Sequence, residues 1–99
     1  MPTTTSADRS TMLDEAWRLH DSVALRPEPF GALAYHYGTR RLSFLKTRRL
    51  LSVVEALAES ASARGACASA GVGDNELPAY TRALATLAQT GMIRPRTGT

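Results

Sequence analysis

A winged-helix-like α+β domain, with a three-stranded antiparallel sheet followed by three helices, is the fold class this sequence predicts. Three observations carry that expectation. Pro27 and Pro29 punctuate an extended stretch, two segments alternate with period two on either side of Gly38 and Thr39, and from residue 48 onward the apolar spacing becomes helical.

Each element follows from local chemistry. Residues 1–10 are mostly Thr, Ser and charge, too polar to pack, and are expected to be disordered. Thr11 and Asp14 suit the cap of a short helical turn carrying Met12, Leu13 and Trp17. In VALRPEPF the two prolines fix φ and remove two backbone donors, so the first strand, placed at residues 22–26, has to be short, bulged or at an edge. ALAYHY, residues 32–37, sets Leu33, Tyr35 and Tyr37 against Ala32, Ala34 and His36, the signature of a half-buried strand. Gly38 and Thr39 supply the turn, with the glycine expected at positive φ. RLSFL, residues 41–45, then sets Leu42 and Phe44 against Arg41 and Ser43 and closes a meander.

The helices come next. Leu50, Val53, Val54 and Leu57 fall at i, i+3, i+4 and i+7 after Thr47, a good N-cap, which predicts a helix over 48–59. Ser62 opens a second helix with a face of small residues, Ala63, Ala66, Cys67 and Ala70, and Gly71 stops it. The third begins near Asp74 or Asn75, tolerates Pro78 in its first turn and carries Leu77, Tyr80, Leu84, Leu87 and Ala88 on one stripe. Gly91 ends that helix and MIRP forms a brief final extended segment. One recognition domain over residues 11–94 and a loose tail over 95–99 complete the expected organisation.

Composition narrows the function. A chain of 99 residues has room for one modest core. It contains no run of about 18 apolar residues, and MPTTTSADRSTMLDEA lacks the basic start and apolar centre of a signal peptide, so the cytoplasm is the expected location, with no membrane partner. A lone cysteine excludes an internal disulfide and cannot by itself build a zinc site; Cys67 reads as a packed small hydrophobe. His20 and His36 sit in different elements with no triad or metal spacing, and GVGDN lacks the lysine of a phosphate-binding loop. No catalytic residue, metal or cofactor is expected, and no enzyme. The formal charge is only +3, but its distribution is uneven: YGTRRLSFLKTRR, residues 37–49, holds five cations, and no carboxylate occurs between Glu28 and Glu55.

WRLHDSVALRPEPFGALAYHYGTRRLSFLK, residues 17–46, and more loosely LPAYTRALATLAQTGMI, residues 77–93, resemble the peptide chaperones of mycofactocin systems, members of the PqqD-like family of RiPP recognition elements. RPEPFGAL and RRLSFLK are the specific parts of the match. The resemblance implies three strands followed by three helices, as the periodicities predict independently. It also implies a non-catalytic function: holding the glutamate-rich leader of a ribosomally made precursor peptide and presenting it to a radical S-adenosylmethionine enzyme. That enzyme, with its iron–sulfur clusters, modifies the Val-Tyr end of the precursor. Family members receive the leader as an added strand beside the third strand, in a groove against the third helix.

The residues support that placement. Prolines spoil the first edge of the meander, whereas Arg41, Leu42, Ser43, Phe44 and Leu45 leave the third-strand edge able to accept a peptide through main-chain hydrogen bonds. Arg40, Arg41 and Lys46 flank it, and Arg48 and Arg49 stand at a helix start, where cations are mildly unfavourable unless an anion visits. Tyr80, Ala83, Leu84 and Leu87 are the candidate groove wall. The rival is a winged-helix DNA-binding protein. Against it, the third helix opens on Asp74 and Glu76, which phosphates would repel, so no nucleic-acid partner is expected.

Overall fold

The computed structural model describes residues 12–96. Its strands are β1 (Trp17–Leu19), β2 (Val23–Glu28), β3 (Gly31–His36), β4 (Arg41–Leu45) and β5 (Ile93–Pro95). Its helices are α1 (Arg48–Ala56), α2 (Ala63–Ser69) and α3 (Leu77–Gln89), with 3-10 turns at Leu57–Glu59 and Asp74–Glu76. The expected core of the fold is present: β2, β3 and β4 form an antiparallel meander in that order, and three helices follow.

The helix boundaries have the anticipated chemistry. Thr47 has extended backbone angles and its hydroxyl accepts the Leu50 N–H at 3.0 Å; Ser62 does the same for Gly65 at 3.1 Å. Each hydroxyl satisfies an amide that the first helical turn leaves without a partner. Gly71 and Gly91 end α2 and α3 with φ of 84° and 81°, angles that penalise any side chain. Burial follows the predicted stripe, with Leu50, Val53 and Val54 of α1 and Leu57 of the 3-10 turn that replaces the last turn of the expected 48–59 helix entering the core beside Ala63, Ala66 and Cys67 of α2. Burial also pushes the Cys67 thiol up, with nearby Arg64 opposing the shift, so the side chain behaves as the packed hydrophobe expected from sequence.

Four expectations need correction. Trp17 is not in the helical turn, which covers residues 12–14; it opens β1, and its indole N–H donates to the Met12 carbonyl at 2.9 Å. The first strand of the meander runs on through Pro27, which is tolerated because β2 is an edge and its unpaired side faces solvent. The turn between β3 and β4 takes its positive φ at Arg40 (61°) and not at Gly38. Gly38 instead leaves room for His36: a Cβ there would lie 3.0 Å from the imidazole Cε1. The His36 Nδ1 accepts the Gly38 and Thr39 amides at 3.0 and 3.2 Å, so a buried imidazole holds the turn from beneath.

The fourth correction concerns the chain ends. MIRP is extended as predicted, but it also pairs: β5 runs antiparallel to β1, with Arg18 opposite Arg94, and forms a second sheet of two strands. Pro95 therefore belongs to a strand. Arg96, placed in the loose tail by sequence, donates its amide to Ala16 and its guanidinium to the carbonyls of Ala58 and Ser60. Residues 1–11 and 97–99, including the segment expected to be disordered, lie outside the described residues.

Candidate peptide-binding site

The edge comes first. β4 is the outer strand of its sheet, paired to β3 with Ala32 opposite Leu45, Ala34 opposite Ser43 and His36 opposite Arg41. Which backbone groups face outward follows from the ladder. The Tyr37 amide donates to the Ser22 carbonyl at 2.8 Å, continuing the β2–β3 register by one residue, so alternate residues of β3 bond toward β2. Ala32, Ala34 and His36 then bond toward β4, to Leu45, Ser43 and Arg41. Leu42 and Phe44 are left with N–H and C=O turned to the open edge. The phase is supported at Gly31, where an added Cβ would come within 2.1 Å of the Leu45 carbonyl oxygen, because that oxygen is directed into the sheet.

Beside this edge lies a groove of about 340 Å³ between β4 and α3. Phe44, Lys46 and Thr47 border it on one side, Leu50 of α1 reaches it from below, and Ala79, Tyr80, Ala83, Thr86 and Leu87 of α3 form the opposite wall. The volume lies at the lower end of the range of specific ligand pockets. Its lining is apolar except for Lys46 and the hydroxyls of Thr47, Tyr80 and Thr86. The small side chains of Ala79 and Ala83, four residues apart on one helix face, keep the space open.

Five residues predicted for the site meet here: Phe44, Lys46, Tyr80, Ala83 and Leu87. Leu84 does not. It is fully buried in the core, because the residue following Ala83 is turned about 100° around the helix, away from the groove. The Leu45 side chain is likewise core, at 1% exposure, and only its backbone belongs to the edge strand. Sequence reasoning missed Thr47, Leu50, Ala79 and Thr86. Ala79, Ala83 and Thr86 do stand at i, i+4 and i+7, but small and polar residues give no hydrophobic stripe to detect.

The cations divide into two groups. Arg49 bonds Glu76 at 3.4 Å, and the Arg48 Nε donates to the Pro29 carbonyl at 3.2 Å, so both have partners within the fold. Among the described residues, no carboxylate lies within ion-pair distance of Arg40, Arg41 or Lys46. Those three line up from the turn to the end of β4 beside the open edge.

Comparison with known proteins gives this arrangement its family. The model of the peptide chaperone MftB family matches residues 16–94. The chain belongs to that family. It is 55% identical over 83 residues to the peptide chaperone MftB of Mycobacterium ulcerans strain Agy99, an alignment that covers 84% of this chain and 76% of the relative. The same identity and coverage hold for the MftB chaperone of Mycobacterium tuberculosis strain H37Rv. The Mycolicibacterium smegmatis MftB chaperone is 54% identical over 82 residues, or 83% of this chain and 80% of the relative. No solved structure matches. The MftB family match starts at Ala16 and ends at Arg94, so it includes β1, the groove and all of β5 but Pro95.

Proposed function

We propose that this member of the MftB family is a non-catalytic cytoplasmic chaperone. It binds the leader of a mycofactocin precursor peptide as a fourth strand on the open edge of β4 and presents it to a radical S-adenosylmethionine enzyme. The observation that carries the reading is the coincidence of an open edge with an apolar groove: Leu42 and Phe44 offer backbone hydrogen bonds while Tyr80, Ala83 and Leu87 offer a place for alternate side chains. Charge at Arg40, Arg41 and Lys46, which no carboxylate among the described residues pairs, suits a leader rich in glutamate. Residues 11–94 would form the recognition domain. The DNA-binding alternative gains nothing from the geometry: α3 is preceded by a 3-10 turn holding Asp74 and Glu76, and Glu76 is already paired with Arg49.

Fluorescence anisotropy tests the reading directly. The labelled glutamate-rich leader should bind at moderate salt, more weakly as ionic strength rises, while a random DNA duplex in the same buffer binds far less tightly. Reversal of Arg41 to Glu should weaken leader binding and leave the melting midpoint nearly unchanged, since an exposed charge contributes little to folding. Duplex binding as tight as leader binding would favour the rival instead.

A further inference from the structure

The groove takes part of its β4 wall from Phe44, and the structure ties that side chain to the RPEPFGAL segment, residues 26–33, none of which lines the groove itself. Glu28 pairs with Gly31, so Pro29 and Phe30 form a two-residue turn between β2 and β3. Three contacts fasten this turn to β4 and to the start of α1. The Arg48 Nε donates to the Pro29 carbonyl at 3.2 Å. Gly31 lies against the chain leaving β4: a Cβ there would come within 2.1 Å of the Leu45 carbonyl oxygen and 2.9 Å of the Thr47 carbonyl oxygen, so the approach needs a glycine. Phe30 sets its ring edge-on to Phe44, with 6.2 Å between ring centres and 65° between planes.

We infer that Phe30 is a positioning residue for leader binding: it holds the Phe44 ring in place as a wall of the groove, so that the site is formed before the peptide arrives. The inference rests on the reading above and adds to it a residue that acts through another. Phe44 is 60% exposed and Phe30 48%, so neither ring is locked by the core. Among the described residues, Phe30 is the aromatic partner of Phe44 and has no other aromatic partner itself. Its own backbone is held on both sides, by the Arg48 bond to Pro29 and by the close approach at Gly31. The turn therefore offers a fixed ring against which a mobile one can rest. Without that contact the Phe44 side chain gains rotamer freedom, which leader binding then has to remove. Ordering one such side chain on binding lowers affinity by about two- to ten-fold.

The test is a double-mutant cycle between Phe30→Ala and Phe44→Ala, read by anisotropy of the labelled leader, with Phe30→Tyr as the conservative variant. Arg40 is the one non-glycine residue at positive φ among the described residues, so alanine fits the backbone at position 30 and the fold should survive the change. Phe30→Ala should weaken leader binding by about two- to ten-fold, and Phe30→Tyr should keep it within about two-fold of wild type. In the Phe44→Ala background, Phe30→Ala should have no further effect. Three-bond NMR couplings to the Phe44 Cγ, which report its χ1 angle, supply a readout that a merely structural role would not move. They should show one rotamer in the leader-free wild type, averaging in Phe30→Ala, and one rotamer again when that variant is saturated with leader. If Phe44→Ala binds too weakly to measure, the couplings decide. Equal leader binding by Phe30→Ala and wild type would overturn the proposal, as would a Phe44 side chain that is already averaged in the wild type or stays fixed in Phe30→Ala. Equal losses with and without Phe44 would also overturn it, by making Phe30 a direct contact of the leader. A wild-type chain that fails to bind the leader sinks the site reading and this proposal together, whereas normal binding by wild type and Phe30→Ala alike sinks this proposal alone.

Discussion

Ala83 and Leu84 are neighbours with opposite duties. The first leaves space in the groove and the second fills the core at 0% exposure. Ala83→Leu should block a leader side chain and weaken leader binding by about ten-fold while the urea midpoint stays close to wild type, because the added atoms enter open space. Leu84→Ala should do the reverse, lowering stability by about 2–5 kcal/mol. Arg40 permits a similar separation. Its φ of 61° disfavours any residue with a Cβ by about 1–2 kcal/mol, a penalty partly offset in Arg40→Gly by the greater freedom of glycine in the unfolded chain. The Arg40→Gly variant should melt at the same temperature or slightly higher and still bind the leader less tightly, having lost a cation beside the edge. A melting midpoint several degrees lower would mean that the Arg40 side chain supports the turn, contrary to the His36 contacts that hold it. Gly38 shows why the turn was misread from sequence. A glycine in a short turn suggests positive φ, whereas this one is small because a histidine imidazole needs the room.

At the scale of the element, β4 is the strand whose two edges have different tasks. Ser43 bonds inward to Ala34, so Ser43→Pro removes a ladder hydrogen bond and should destabilise the fold by about 3 kcal/mol or less. Leu42→Pro and Phe44→Pro remove donors that face solvent, and should keep the circular dichroism spectrum and melting cooperativity while losing most leader affinity relative to Leu42→Ala and Phe44→Ala. Normal leader binding by both outward-facing proline variants would remove the strand-addition mode. The strand itself was legible to the residue: alternation of Leu42 and Phe44 with Arg41 and Ser43 leaves few other registers, and the observed bounds coincide with 41–45. Its hydrogen-bonding phase was not legible, because the phase depends on which β3 residues face β2. The α3 wall was half legible. Tyr80 and Leu87 belong to a hydrophobic stripe, but Ala79 and Thr86 contribute by being small or short, and no periodic signal marks an absence of bulk.

For the whole molecule, the least legible feature is how the chain ends meet. β1 and β5 are three residues each and more than seventy residues apart, so neither carries a periodic pattern that announces its partner. Their pairing nonetheless closes the fold. The His20 amide donates to Met92 at 2.9 Å, Ile93 is buried, and the Arg96 guanidinium bridges the carbonyls of Ala58 and Ser60 that follow α1. The Arg96 Nε is buried and has no hydrogen-bond partner among the described residues. Two shortened chains separate these contributions. Ending at Pro95 removes Arg96 and should lower the unfolding free energy by about 1–3 kcal/mol, the range for charged hydrogen-bond partners. Ending at Met92 removes the strand as well, adding about 1.5–3 kcal/mol for the lost burial of Ile93. Since the β4 edge and the groove belong to the other sheet, both shortened chains should bind the leader normally at temperatures where they remain folded. Loss of leader affinity at Pro95, without loss of cooperative melting, would mean that the terminal clasp also sets the spacing between β4 and α3.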